Sequence, residues 1–301
     1  MVMKVPKLDV ILPPSAYAGF ETEVRILSRL RGVYTPRVVG KGDMATCPYI
    51  VMEYIEGDAI LQATNHAPVT VARLVELLVP LCKAIHELHQ HNIIHLDIKP
   101  ENIRNREDGQ AVIIDFGSAH HTLMPDMYTD SHEMAPRTPD YVAPEQIQHI
   151  RNEFGSDIYA LGIIMYQLAT GKFPFSYSNQ ITLYRKLYLP PTPPRVYDET
   201  LPPWLQEVIL RCLQRYPHNR FTSAKQLAYM LLHPHMIKLS RLAELKQKPG
   251  LVEKMRFWLA ARRDKRQSRT LLHPHERIIR VHHVLVALDL SHSAEELKKA
   301  L

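Results

Sequence analysis

Cysteine is scarce in this chain. The three present, Cys47, Cys82 and Cys212, stand far apart in no metal-ligand spacing. That excludes a disulfide framework and a cysteine-built zinc site, and it fits reduced thiols in a cytoplasmic protein. Long apolar runs are missing as well. No stretch approaches the roughly 18 apolar residues of a membrane span, so no transmembrane segment is expected. The segment after Met1 lacks the basic start and apolar run of a secretory signal. A strong charge bias is also missing. The net charge is +6, and much of the excess lies between Lys238 and Arg280, so a nucleic-acid surface is not expected of the rest. What is present is ordinary globular composition, 46% hydrophobic and 23% charged over 301 residues. That is enough for one large domain or two modest ones.

Periodicity divides the chain. Met1 to Val10 reads as a short strand broken by Pro13 and Pro14. Ala18 to Leu30 places Phe20, Val24, Leu27 and Leu30 at helical spacing. Val38-Val39 and Tyr49 to Tyr54 read as short strands around a turn at Gly40-Lys41-Gly42-Asp43. Thr70 to Gln90 reads as a helix with Pro80 kinking it, and Ala111 to Ile114 as a buried strand. Asp157 to Thr170 is apolar nearly all round, the mark of a buried helix, and Gly171 ends it. Two more helices are predicted near Trp204 to Arg215 and Ser223 to Leu232. A β-rich start and a helical remainder predict an α+β fold, a small sheet lobe on a larger helical one.

Three segments carry chemistry. His95-Leu96-Asp97-Ile98-Lys99-Pro100-Glu101-Asn102 comes first, Asp115-Phe116-Gly117 follows after one strand, and Ala143-Pro144-Glu145 comes later. In this order and spacing they resemble the catalytic loop, metal-binding triplet and segment-ending triplet of the protein kinases. The resemblance implies a bilobal fold and transfer of a phosphoryl group from ATP, with Mg, to a Ser/Thr hydroxyl of a protein substrate. Such transfer needs an aligned nucleophile and neutralised phosphate charge more than covalent help. Asp97 matches the carboxylate that orients the acceptor hydroxyl, and Lys99 the cation that reaches the transferring phosphate. Asn102 and Asp115 match the metal ligands, an oxygen set suited to magnesium. The run Lys99-Pro100-Glu101-Asn102 resembles the Ser/Thr-directed subgroup.

The resemblance extends upstream and downstream. Phe20 to Leu27 is similar to the helix carrying the family's ion-pair Glu, best matched by Glu23. Met1 to Val5 is similar to the strand carrying its Lys partner, Lys4, with Lys7 as the alternative. Tyr49 to Gly57 resembles the strand and hinge that meet adenine. Met52 would border that pocket, and the backbone of Glu53 and Ile55 would bond the base. Asp157 matches the buried Asp that holds the catalytic loop, while a helix N-terminal carboxylate is its plainer role. Glu145 and Arg220 match a structural ion pair, and Thr138 a residue of the substrate-docking loop.

Several positions depart from the family pattern. No Gly-x-Gly-x-x-Gly occurs anywhere; Gly40-Lys41-Gly42 lies in the wrong place. The family places two strands and that loop before its Lys, so an N-terminally truncated domain with weak nucleotide binding and an unstable small lobe is expected. Leu96 stands where an Arg usually pairs with a phosphorylated loop. Arg137 replaces a usual Gly. Arg104 replaces an apolar residue beneath adenine, where its stem could pack instead.

The expected divisions are a small lobe over 1–57, a large lobe over 58–237, a basic and partly helical linker over 238–280, and a final segment over 281–301. Val284 to Ser291 resembles the first strand and turn of a universal stress protein domain, too short to form that domain. The repeated His-Pro-His at 233–235 and 273–275 shares its spacing with no Cys or carboxylate, so no metal role is assigned. Oligomeric state is not readable from the sequence.

Overall fold

Val71–Gln90 shows why these residues fold as they do. Leu74, Leu77, Leu78, Leu81, Ile85 and Leu88 recur every three or four positions, and all are buried. The Thr70 hydroxyl accepts from the Arg73 N–H, capping the helix start. Pro80 is accommodated inside it. The computed structural model describes residues 1–6, 14–30, 32–44, 46–126, 128, 139–175 and 185–260. It divides into two compact units, Met1–Pro249 and Gly250–Leu301.

In chain order the first unit holds β1 (Val2–Lys4), α1 (Pro14–Leu27), β2 (Val38–Lys41), β3 (Ile50–Met52), α2 (Ala59–Asn65), α3 (Val71–Gln90) and β4 (Ile93–Ile94). There follow β5 (Ile103–Asn105), β6 (Ala111–Ile113), β7 (His120–His121), α4 (Pro144–Ile147), α5 (Gly155–Thr170), α6 (Arg185–Tyr188), α7 (Pro203–Cys212), α8 (Ala224–Leu232) and α9 (Arg241–Glu244). The small lobe is an antiparallel sheet in the order β1-β3-β2, with α1 alongside. The large lobe is helical around α3 and α5, with two short antiparallel pairs, β4-β7 and β5-β6. This is the predicted α+β arrangement.

Helix α5 is the centre of the large lobe. Fourteen of its sixteen residues are buried, as its all-round apolar sequence requires. Gly171 closes it in the left-handed region at φ 67°, which a residue with a Cβ enters only at a cost.

The structure redraws some boundaries. Gly40 and Lys41 belong to β2 and pair with Val51 and Ile50, and the chain turns beyond them, where the Cys47 N–H donates to the Asp43 carbonyl. A register shift between Val38 and Gly40 absorbs the irregularity. Residues 238–249 stay with the first unit, because Gln206 on α7 donates to the carbonyls of Leu242 (2.7 Å), Ala243 (3.3 Å) and Leu245 (2.9 Å). Glu207 accepts from the N–H and hydroxyl of Ser240. In the second unit residues 251–260 are helical, with Leu251, Val252, Met255 and Leu259 exposed. Lys7, Arg137, Thr138 and the stress-protein-like segment lie outside the described residues.

Candidate active site

The loop that carries Asp97 is built from the backbone outward. Asp157, in the first turn of α5, is fully buried. Its Oδ2 accepts from the His95 N–H at 2.9 Å and its Oδ1 from the Leu96 N–H at 2.8 Å. His89 Nε2 on α3 lies 2.9 Å from the same Oδ2. Burial alone would raise the pKa of this carboxyl, but His89 and the backbone donors outweigh it and hold it below its ordinary value. Gln146 on α4 grips the loop from the other side, donating to the Leu96 carbonyl at 2.9 Å while its oxygen accepts from the Ala143 N–H. Held this way, Leu96 adopts φ 64° and Asp115 φ 63°, strained values for residues other than glycine.

That frame gathers two clusters. In the first, Lys99 Nζ lies 2.8 Å from Asp97 Oδ2. Asn102 Nδ2 donates to the Asp97 carbonyl at 2.9 Å and to its Oδ2 at 3.0 Å. In the second, Lys4 Nζ bridges Glu23 Oε2 at 2.5 Å and Asp115 Oδ1 at 3.1 Å. Burial opposes the charge on Lys4, yet Glu23 and Asp115 together outweigh it and raise its pKa. Burial likewise pushes Asp115 up, and Lys4 more than reverses this, leaving it lowered. Glu23 is nearly enclosed, and burial raises its carboxyl while Lys4 pulls it down.

The segment expected to meet a base follows β3. Met52 is buried between β1 and β2, opposite both Val2 and Val38. The Glu53 N–H donates to the Arg37 carbonyl, so only the carbonyl of that residue is left to meet a base. The Ile55 N–H is taken by no other backbone group among the described residues. Arg104 is half-buried in β5, opposite Val112. The family's structural ion pair is also present. Arg220 donates to Glu145 Oε1 at 2.6 Å and Oε2 at 2.8 Å, both residues buried.

Other residues went unread in the sequence. Arg106 donates to both carboxylate oxygens of Glu53 and to the Gly32 carbonyl, tying the large lobe to the hinge. Lys186 is enclosed beneath the segment before α4, donating to the carbonyls of Pro139, Asp140 and Val142. Burial pulls its pKa down to about 7 against the pull of Asp140. Arg151 holds the segment after Gly117. Only Leu96, standing in place of a cation, gave any prompt to look for another one.

Comparison with known proteins identifies the family. The model of the protein kinase domain matches residues 2–236. The chain belongs to the protein kinase family. It is 29% identical to the serine/threonine-protein kinase PknB of Mycolicibacterium smegmatis, over 78% of this chain and 39% of that protein. The PknB of Mycobacterium tuberculosis strain H37Ra is 30% identical over 78% of this chain and 38% of its own length. A probable serine/threonine-protein kinase of Clostridium acetobutylicum is 28% identical over 69% of this chain and 32% of its own. The chain thus spans about two fifths of the length of the PknB relatives. Among the described residues, no helix is long and apolar enough to cross a membrane.

Proposed function

We propose that this chain is an ATP- and Mg-dependent protein Ser/Thr kinase. The observation that carries the reading is the bridge made by Lys4, which joins Glu23, 19 positions away, to Asp115, 111 positions away. A structural surface ion pair would not need three charges from β1, α1 and the loop after β6, with the Glu23 carboxylate buried and Lys4 and Asp115 open to solvent. In the proposed reaction Asp97 orients a substrate hydroxyl and accepts its proton as the oxygen–phosphorus bond forms. The bond from the transferred phosphorus to the bridging oxygen breaks, and ADP leaves. Lys99 neutralises charge on the transferring group, and Lys4 does so on the inner phosphates.

The oxygens available fit magnesium. Asn102 uses its Nδ2 on Asp97, leaving Oδ1, and the Asp115 carboxylate spends one oxygen on Lys4. Among the described residues no three His, Cys, Asp or Glu side chains gather into a metal site. Magnesium needs no such group, since it takes one or two carboxylates with nucleotide phosphates and water. When bound, it would neutralise phosphate charge. The Glu53 carbonyl and Ile55 N–H are proposed to bond the base, with Met52 and Arg104 bordering it. The sequence holds no Gly-x-Gly-x-x-Gly. These residues therefore supply no such loop's N–H groups to the phosphates, and weak ATP affinity is expected of them.

The test is phosphate transfer from labelled Mg-ATP to the chain and to a generic basic protein, with Asp97→Asn in parallel. Asp97→Asn is expected to lower transfer by about 10²–10⁴-fold with folding unchanged. No transfer by a folded wild-type chain would remove the reading and leave a kinase-shaped interaction module.

A further inference from the structure

Arg151 lies between α4 and α5, away from both charge clusters, yet it collects a whole segment around itself. Its Nε donates to Asp126 Oδ2 at 2.6 Å. One terminal nitrogen donates to the Ser118 carbonyl at 3.0 Å and the Ala119 carbonyl at 3.4 Å. Its guanidinium carbon sits 4.7 Å from the centre of the Tyr128 ring. Arg151 and Asp126 are each 12% exposed in their side chains. A planar guanidinium that serves a carboxylate, two carbonyls and an aromatic face at once is a fixed joint, unlike a mobile surface pair.

Tyr128 carries the joint inward. Its hydroxyl donates to the Gly117 carbonyl at 2.5 Å, two residues beyond Asp115. A Cβ built on Gly19 would fall 2.5 Å from that hydroxyl. Gly19 lies on α1 one turn before Glu23. One side chain thus touches the elements holding both acidic partners of Lys4. At the place where the resemblance leads one to expect an Arg, Leu96 is 3% exposed and apolar, so it offers no cation to a loop phosphate.

We propose that Arg151 is a positioning residue: through Asp126 and Tyr128 it holds the segment after Gly117 against α1, so that the site is assembled without a phosphate on that segment. The proposal rests on the kinase reading. Asp126 supplies the anion that a phosphate would otherwise add. His120 Nδ1 lies 3.7 Å from the same carboxylate, but burial keeps its pKa below the ordinary value, so among the described contacts Arg151 is the cation that answers Asp126 near neutrality.

The experiment uses the full chain, phosphatase-treated and checked by intact mass. It compares Arg151→Gln, Arg151→Lys, Asp126→Asn and the swap Asp126→Arg/Arg151→Asp. Readouts are kcat, KM for ATP, and hydrogen exchange of residues 117–124. The phosphate-free wild type is expected to keep kcat within about twofold of the phosphorylated chain. Arg151→Gln and Asp126→Asn are expected to lose about 10–100-fold in kcat, with KM for ATP changed less than about threefold. Exchange at 117–124 should rise in both. Arg151→Lys should fall between, since an ammonium keeps the ion pair and loses the fork. The swap should recover part of the loss. A tenfold fall on dephosphorylation, or an Arg151→Gln chain with unchanged kcat, overturns the proposal. If the wild type transfers no phosphate, the kinase reading has failed by itself. Exchange then decides the brace alone, and unchanged protection in Arg151→Gln refutes it. Should Arg151→Gln not fold, Asp126→Asn takes its place: a loss of kcat supports the brace, and an unchanged kcat or unchanged protection refutes it.

Discussion

Asp157 shows how much one carboxylate can organise. Two backbone N–H groups and a His89 nitrogen meet its two oxygens, and its burial keeps water from replacing them. Asp157→Asn keeps the shape but turns an NH2 group toward a donor, leaving a buried pair that cannot bond. The expected cost is about 3 kcal/mol, read from urea unfolding. The sign of its pH dependence follows from the lowered pKa. The carboxylate contributes its full stability above the unfolded value of about 3.9, and loses it as pH falls toward the lower folded value. Wild type should therefore lose stability more steeply than Asp157→Asn on acidification below about pH 4. Parallel acid limbs would show that the interaction with His89 and the loop is worth little. Asp157 itself was legible, because it lies in a contiguous stretch that resembles the family. His89 and Gln146 were not. Each acts across the fold on a partner tens of positions away, His89 on Asp157 and Gln146 on Leu96, and neither leaves a pattern in its own neighbourhood.

Elements were readable in proportion to their length. α3 and α5 span several turns, so apolar spacing or its absence could be counted, and both lie within a residue or two of the predicted ends. The four-residue helices α4, α6 and α9 are too short to show a period. α9 forms where Gln206 gathers the carbonyls around it, which is tertiary information. A different contact, at the C-terminal end of α7, tests how tightly α5 meets that helix. A Cβ on Gly162 would lie 2.7 Å from the Cβ of Cys212 and 3.0 Å from Leu213 Cδ2. Overpacking of this kind costs about 1–3 kcal/mol, while exchanging a mid-helix glycine for alanine returns about 1 kcal/mol. Gly162→Ala is therefore expected to lower the unfolding midpoint by a few degrees. A raised midpoint would mean the two helices can separate freely, and that the packing argument for α5 as the central strut fails.

At the scale of the molecule, the two lobes came out of the sequence because a sheet-forming start and a helical remainder differ in period. The joints between them did not, since each is a pair of charges far apart along the chain. Arg106 is the clearest case. It follows β5 in the large lobe and donates to the Glu53 carboxylate and the Gly32 carbonyl. The Arg106 hydrogen bonds hold the Glu53 carboxyl below its usual range. The pair is only about a quarter exposed on each side, but water still reaches it, so its share of global stability is expected to stay under about 1 kcal/mol. Its effect on function should be larger. The Glu53 carbonyl proposed to bond the base lies in the same residue, and Ile55 is two residues on. Loss of the tether frees the hinge to shift by fractions of an ångström. Arg106→Gln should then raise KM for ATP about 3–10-fold with kcat changed less than twofold, because base binding is shared equally by ground and transition states. A fall in kcat with KM unchanged would place the work of Arg106 in lobe closure during transfer. No change in either would mean that β3 and its neighbours fix the hinge without it.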